Sequence, residues 1–398
     1  MRIVLKFGGT SVATTELIKA IAFHIKELKK EIDEIVIVVS AMGKTTNALI
    51  DNAYSISSMP NKREMDALMM TGELQTITLL AIALNEIGVK SKSFNGEQAG
   101  FLTDDVFNRA FIMELNVSNI EKALKEGFVV VVAGFQGINE NGDFTTLGRG
   151  GSDTTSVALA AKLKCPCEIY TDVDSVYTID PHIVKNPKKI KNITHEEMME
   201  LAVNGAKVLD ARCIEIAKKY GVPLYLGKSC EKGDKKGTFI MERKLDYFEK
   251  VPIKSIALKS NISLIKIKII DYEKIGDIMS AIRISAINLE NIHDYKIDNN
   301  LEISFICPND KIKEMITILN DFGILKDDVS VVVVYKVTLV GIGLSTHSGI
   351  GETLVLKLIS NNIEFFNLSV NEIAITFLVN SQDSANLSIN ILKEEFKL

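Results

Sequence analysis

A chain of 398 residues is too long for one ordinary hydrophobic core, so two or three domains are expected. With 46% hydrophobic and 24% charged residues, the composition supports packed cores under a solvated surface and excludes intrinsic disorder. A formal charge of −5, with no Lys/Arg run interleaved with aromatics, argues against a nucleic-acid partner and points to small-molecule ligands.

The five cysteines, Cys165, Cys167, Cys213, Cys230 and Cys307, lack the paired spacing of a structural zinc site and read as reduced thiols. Cys165-Pro166-Cys167 stands just ahead of an apolar strand pattern, so core packing is favoured over redox chemistry. No signal-peptide pattern opens the chain, and apolar runs such as residues 129–133 are too short to span a bilayer. The cytoplasm is the expected location, without a membrane partner.

In chain order, residues 2–5 form a short β pattern that ends at Lys6-Phe7-Gly8-Gly9-Thr10-Ser11, followed by Leu17, Ile18, Ile21, Ile25 and Leu28 at helical spacing. Strand, glycines and helix make a phosphate-cradle arrangement, with Lys6 as a mobile positive charge. The same Gly-Gly pair also suits an ordinary tight turn. Residues 35–39 are an unbroken β-branched run, expected to be covered on both faces. It ends in Ser40-Ala41-Met42-Gly43-Lys44-Thr45-Thr46-Asn47, where the hydroxyls either meet a ligand at the strand's C-terminal edge or cap the next helix.

Residues 64–86 form a long helix pattern in which Met65, Met69, Glu73 and Ile77 share one face. A carboxylate in an apolar stripe is unfavourable without a partner, so Glu73 is placed to receive a cation, with a structural ion pair as the alternative. A second buried strand, residues 128–133, runs into Gly134-Phe135-Gln136-Gly137. Next comes Thr145-Thr146-Leu147-Gly148-Arg149-Gly150-Gly151-Ser152-Asp153-Thr154, which brings amides and a guanidinium to a helix start, a site for a carboxylate or phosphate. The strand 168–171 leads into Asp172-Val173-Asp174-Ser175-Val176-Tyr177-Thr178-Ile179-Asp180, which fits either nucleotide recognition or a surface turn. Strands alternating with helices make this part an α/β unit with a mainly parallel sheet.

After a charged, irregular stretch at residues 233–252, a strand–helix–strand pattern (264–270, 275–286, 301–307) is repeated (337–341, 351–360, 373–379), giving two α+β units. The expected domains are 1–242, 253–330 and 331–398.

Taken together, Lys6-Phe7-Gly8-Gly9-Thr10-Ser11, Ser40-Ala41-Met42-Gly43, Thr71-Gly72-Glu73, Ala133-Gly134-Phe135-Gln136-Gly137, Thr146 to Thr154 and Tyr170-Thr171-Asp172-Val173-Asp174 resemble the aspartokinases of the amino-acid kinase superfamily, in the family's order. The resemblance implies an amino-acid kinase fold followed by two ACT-like domains, and transfer of the γ-phosphoryl group of ATP to the β-carboxylate of L-aspartate. It implies Lys6 and Asp153 as catalytic residues, Asp153 orienting Lys6. Substrate would be held by Thr45, Glu73, Arg149, Gly150, Gly151 and Ser152, with Arg149 on a carboxylate and Glu73 on the α-ammonium. ATP would meet Lys6, Phe7, Gly8, Gly9, Thr171, Asp172, Tyr177, Asp180 and Lys207, and Mg2+ would ride on its phosphates. The ACT-like units, the second completed by a strand from residues 256–260, would pair in a homodimer and bind an amino-acid effector.

Departures from the family pattern are Ser175 for a glycine, His182 for an arginine and Asp210-Ala211 for a His-Pro pair. The effector signatures are altered at Asp271-Tyr272-Glu273-Lys274, Thr346-His347-Ser348-Gly349 and Ser369-Val370-Asn371-Glu372-Ile373, which predicts weakened or absent inhibition by lysine and threonine. Two further readings stand beside this one: an amino-acid-sensing ACT pseudoenzyme, and another amino-acid kinase such as a glutamate kinase.

Overall fold

The computed structural model describes residues 1–206, 208–229, 236–242, 253–269, 274–285, 287–297 and 300–398. The chain forms two compact units: Met1–Thr178, Lys188–Val203 and Lys207–Lys250 make the first, and Ile179–Pro187, Asn204–Ala206 and Val251–Leu398 the second.

The first unit is built on an eight-stranded sheet in the order Asn192–Ile193, Thr238–Ile240, Leu224–Lys228, Cys167–Thr171, Arg2–Phe7, Glu34–Val39, Val129–Ala133, Ser91–Phe94. Of its neighbouring pairs, Leu224–Lys228 against Thr238–Ile240 is antiparallel and the rest are parallel. The β-branched runs explain the central strands, because both faces are covered and every side chain must be apolar. Leu5, Phe7, Ile35, Ile37, Val129 and Val131 pack into one core with Ile18, Ile21 and Ile25 of the helix Thr15–Leu28 and Ile77, Leu80 and Leu84 of the helix Thr71–Glu86. Alternate residues Val4, Val36, Val38, Val130 and Val132 are equally buried on the other face, against which the helix Gly151–Leu163 packs.

Parallel register has a direct functional consequence. Phe7 lies opposite Val39 and Tyr170, and Val39 opposite Ala133. The loops that follow these strands, each one of the motif segments, therefore leave the sheet at the same edge, where open α/β sheets hold ligands. A smaller four-stranded sheet, ordered Ile112–Leu115, Phe101–Thr103, Gln136–Ile138, Phe144–Thr146, delivers the chain to the glycine loop at residues 147–150.

The expected single helix over 64–86 is two, Lys62–Met69 and Thr71–Glu86, joined at Met70. Together, Lys62–Glu86 is long and apolar enough to cross a membrane by length and composition alone, but Leu80 and Leu84 are wholly buried in the core. Leu17, placed on the inner face by spacing, is 41% exposed, and Ile18 takes the buried position.

The second unit contains one six-stranded antiparallel sheet, ordered Glu290–Ile297, Asn300–Pro308, Ile253–Ile269, Val329–Gly341, Ala374–Val379, Phe366–Val370. Both sequence repeats contribute to it. The strand Ile253–Ile269 is shared: Ser255 to Lys259 pair with the C-terminal half of Val329–Gly341, and Ile262 to Ile267 pair with both Asn300–Pro308 and the N-terminal half of Val329–Gly341. Two helix layers cover it. Lys274–Ile284 and Ile312–Asp321 pack Ile278, Ile282, Met315 and Leu319 on Ile265, Ile267 and Phe305, and Ile350–Ser360 with Gln382–Phe396 pack Leu354, Leu358 and Ile389 on Val337, Leu339 and Phe377.

Candidate active site

Three strand-end loops and one helix start meet at the sheet's C-terminal edge. Lys6, the penultimate residue of its strand, is almost fully buried, and its Nζ lies 2.7 Å from Oδ1 of Asp153 in the first turn of the helix Gly151–Leu163. A buried ammonium is tolerable here because a carboxylate faces it. The two predicted catalytic residues are thus brought together, although 147 positions separate them in the chain (153 minus 6).

Gly9 is required by close approach: a Cβ there would lie 2.8 Å from the Ala41 carbonyl oxygen. Gly8 donates its N–H to the Tyr170 carbonyl at 3.0 Å, so that amide is engaged within the sheet edge rather than aimed at a ligand. Ser40 Oγ donates to Ser152 Oγ at 3.0 Å, and a Cβ on Gly134 would lie 2.6 Å from the same Ser152 oxygen. The loops after residues 39 and 133 are therefore packed against the helix start, and the loop after residue 7 against the loop after residue 39. Thr45 opens the helix Thr45–Ile56 and donates its hydroxyl to the Met42 carbonyl at 2.7 Å; Lys44, rather than a threonine, occupies the N-cap position.

Glu73 is 3% exposed. Its Oε1 accepts the Ala41 N–H at 3.0 Å, while Oε2 is buried without a hydrogen-bond partner among the described residues. Burial pushes the carboxyl up to about 7, against the pull of the Ala41 N–H. No ion pair to Glu73 occurs among the described residues, which leaves the cation-receiving reading of the sequence in place.

Arg149 lies between Gly148 and Gly150, both left-handed (φ 79° and 68°). Its side chain is exposed and has no ionic partner among the described residues. A Cβ on Gly150 would lie 2.2 Å from Cβ of Asp210, so the residue that departs from the family's histidine sits directly on the glycine loop. Asp210 caps the helix Ala211–Tyr220 through the Arg212 N–H, and burial, with Asp153 nearby adding to it, pushes its carboxyl up.

The expected nucleotide residues divide. Thr171 ends its strand and donates to Asp172 Oδ1 at 2.8 Å. Tyr177 donates its hydroxyl to Asp174 at 2.7 Å, and Lys189 pairs with the other Asp174 oxygen at 2.7 Å across the short hairpin of Val176–Tyr177 and Lys189–Ile190. Asp180 and His182 belong to the second unit, where Asp180 Oδ1 accepts both the backbone N–H and Nδ1 of His182 at 2.8 Å. Ser175 does not need the glycine's freedom: its φ is not positive, and its buried hydroxyl shares a 2.9 Å hydrogen bond with Thr238. Lys207 and the altered loop at Asp271-Tyr272-Glu273 lie outside the described residues.

Two residues were not singled out by sequence reasoning. Asp66, wholly buried, accepts from the backbone and hydroxyl of Thr146, and Arg212 donates to the Leu147 carbonyl; both act on the base of the glycine loop. Asp66 stands in the same apolar helical stripe that drew attention to Glu73, so a buried charge was legible there too.

A mainly parallel α/β sheet with an ion-paired lysine and a glycine loop at its edge defines a phosphate-handling kinase of the amino-acid type, and residues 1–228 match the family model described as the amino acid kinase family. Over the full chain, an aspartokinase of Bacillus sp. (strain MGA3) is 40% identical, the alignment covering 100% of this chain and 97% of the relative. The crystal structure of E. coli aspartokinase III with aspartate and ADP (R-state) has a TM-score of 0.80 at 23% identity, covering 100% of both chains. The same enzyme with lysine and aspartate (T-state) gives 0.74 at 24% identity, covering 99% of both. The chain belongs to the aspartokinases.

Proposed function

We infer that this chain transfers the γ-phosphoryl group of ATP to the β-carboxylate of L-aspartate, giving 4-phospho-L-aspartate, the first step toward lysine, threonine and methionine. The observation that carries this reading is the buried, unpartnered Oε2 of Glu73. A carboxylate oxygen with no donor in an apolar surrounding is stabilised by an incoming ammonium, and an α-amino acid supplies one. Arg149, exposed and unpaired among the described residues, supplies two parallel N–H groups for a carboxylate of the same substrate.

Phosphoryl transfer asks the protein for position and charge neutralisation. Lys6, fixed by Asp153, stabilises the charge on the transferring group. The acceptor carboxylate is ionised near neutrality, so no strong base is needed. No cluster of three or more metal-ligating side chains occurs among the described residues. Mg2+ would arrive with ATP, and Asp153, the carboxylate that pairs with Lys6, would be the group available to it. The buried free thiols Cys165, Cys167, Cys213 and Cys307 suit a reducing, cytoplasmic setting. Burial pushes Cys165 up to about 11 and Cys167 up to about 12, so both act as core rather than as nucleophiles.

In the second unit, residues 329–334 pair on one side with Ile253–Ile269, and no strand pairs with their other side among the described residues. Val331, Val332 and Val333 are exposed there. This free apolar edge supports a homodimer formed through the ACT-like unit.

A coupled ATP-consumption assay with aspartate, with glutamate and with no acceptor tests the reaction. Turnover is expected with aspartate alone. Arg149→Ala is expected chiefly to raise the aspartate KM and Lys6→Ala chiefly to lower kcat. Arg149→Ala impairing ATP binding alone would show the two anion sites to be wrongly divided.

A further inference from the structure

Arg149 stands between two left-handed glycines that carry no side chain to anchor the loop, so its position depends on how firmly the chain is held on either side, including just before Gly148. Two charged residues, Asp66 wholly buried and Arg212 half-buried, hold it there. Asp66, on the helix Lys62–Met69, has no ionic partner among the described residues. Its carboxylate accepts the Thr146 N–H at 2.8 Å, the Thr146 hydroxyl at 2.8 Å and the Asn108 N–H at 2.9 and 3.1 Å. Arg212, in the first turn of Ala211–Tyr220, donates Nη1 to the Leu147 carbonyl at 3.1 Å and Nη2 to the Ala110 carbonyl at 2.9 Å, with its guanidinium 4.7 Å from the centre of the Phe111 ring. Between them the Ala110 N–H donates to the Thr146 carbonyl at 2.8 Å.

The pattern is complementary. The acid collects N–H groups and the guanidinium collects carbonyls from the same two crossing segments, residues 108–110 and 146–147. Burial pushes the Asp66 carboxyl up and the Arg212 guanidinium down, so keeping both charged costs free energy, and what they gain is a set of charge-assisted bonds to main-chain atoms. A neutral strand ladder could have satisfied the same backbone groups. The charged version fixes the direction in which the chain leaves Leu147. Gly148 is seated on the same structure: a Cβ there would lie 3.0 Å from the Asn108 carbonyl oxygen.

We propose that Asp66 and Arg212 are positioning residues, a two-sided clamp on the base of the glycine loop that presents Arg149 to the acceptor's carboxylate. The proposal rests on the reading that Arg149 binds that carboxylate. It makes acceptor affinity depend on two residues that touch neither substrate.

Steady-state kinetics of the full-length enzyme carrying Asp66→Asn, Arg212→Lys, Thr146→Val or Thr146→Ser, each alone and combined with Arg149→Ala, test it. Asn places N–H donors where acceptors are needed, and Lys cannot span two carbonyls with one fork. Each is expected to raise the aspartate KM on the order of tenfold while the ATP KM moves by less than about twofold. Thr146→Val, which removes a single bond to Asp66, is expected to shift the aspartate KM in the same direction by less, and Thr146→Ser, which keeps the hydroxyl, to restore it. In the Arg149→Ala background none of them is expected to raise the aspartate KM further, because the clamp acts through Arg149. Equal effects with and without Arg149, or equal changes in both KM values, would overturn the clamp and leave Arg149 in place. A wild-type aspartate KM in Arg149→Ala itself would overturn the assignment of Arg149 and the clamp with it. Should Asp66→Asn fail to fold, the Val and Ser variants at Thr146 decide the matter.

Discussion

At the scale of single residues, Glu73 makes the sharpest statement about acidity. Its carboxyl is pushed by burial from an ordinary 4.5 up to about 7. Only the ionised form attracts an ammonium, so the aspartate KM should rise as pH falls through about 7, and Glu73→Gln should remove this dependence while raising KM by roughly two orders of magnitude. The sign for stability is opposite to that of an ordinary salt-bridged carboxylate. The folded state binds the proton more tightly than the unfolded chain, so Glu73's contribution to stability falls as pH rises from 4.5 to about 7. Bound substrate should offset that loss. A pH profile of aspartate KM that is flat between 6 and 8 in the wild type, to within roughly a factor of two, would show that Glu73 does not titrate against substrate.

At the scale of elements, the effector-like loop between Gly341 and Ile350 illustrates how a motif can persist while its groups are turned elsewhere. Thr346 donates its hydroxyl to the Gly343 carbonyl at 3.0 Å, His347 Nδ1 lies 2.9 Å from the same oxygen, and the Gly349 N–H is taken by Glu352. Asn371 in the neighbouring signature accepts from the Ile373 and Ala374 N–H groups. These polar groups are satisfied within their own turns, so an amino acid must break them to bind. Lysine or threonine at 1 mM is therefore expected to lower the rate by less than about twofold; strong inhibition at lower concentration would show that the loop opens for a ligand. The same elements show what the sequence discloses. Period and β-branching marked the central strands, and the motif order marked every loop at the sheet edge, because local composition carries both signals. The pairing of Lys6 with Asp153 was legible only through family resemblance. The burial of Asp66 follows from its helical stripe, but its role and that of Arg212 lie in groups of residues far off in the chain, and neither composition nor spacing reports a hydrogen bond to a distant N–H or carbonyl. The segment at Asp180 was assigned with the nucleotide loop, whereas Ile179 and Val184 are buried with Ile256 and Val337 in the second unit's core. An apolar side chain gives no sign of which core it will enter.

At the scale of the whole molecule, the exposed edge at residues 329–334 bears on assembly. Six consecutive residues, Val329-Ser330-Val331-Val332-Val333-Val334, present one row of backbone groups with no strand partner among the described residues, and the sequence there has no lysine, proline or bulge to discourage pairing. Such an edge is a template for another strand, and a second copy of the same strand can pair with it antiparallel about a twofold axis, satisfying both edges at once. Three exposed valines add apolar area to the contact. Val331→Lys with Val333→Lys brings two positive charges from each copy into such a pairing, so the double variant is expected to sediment as a monomer at micromolar concentration where the wild type is expected to sediment as a dimer. The unit's core should be untouched, because both side chains point to solvent and Val334, Val337 and Leu339 carry the packing beneath. An unchanged melting temperature with a lost dimer would place the interface at this edge; a dimer that survives both lysines would place it elsewhere.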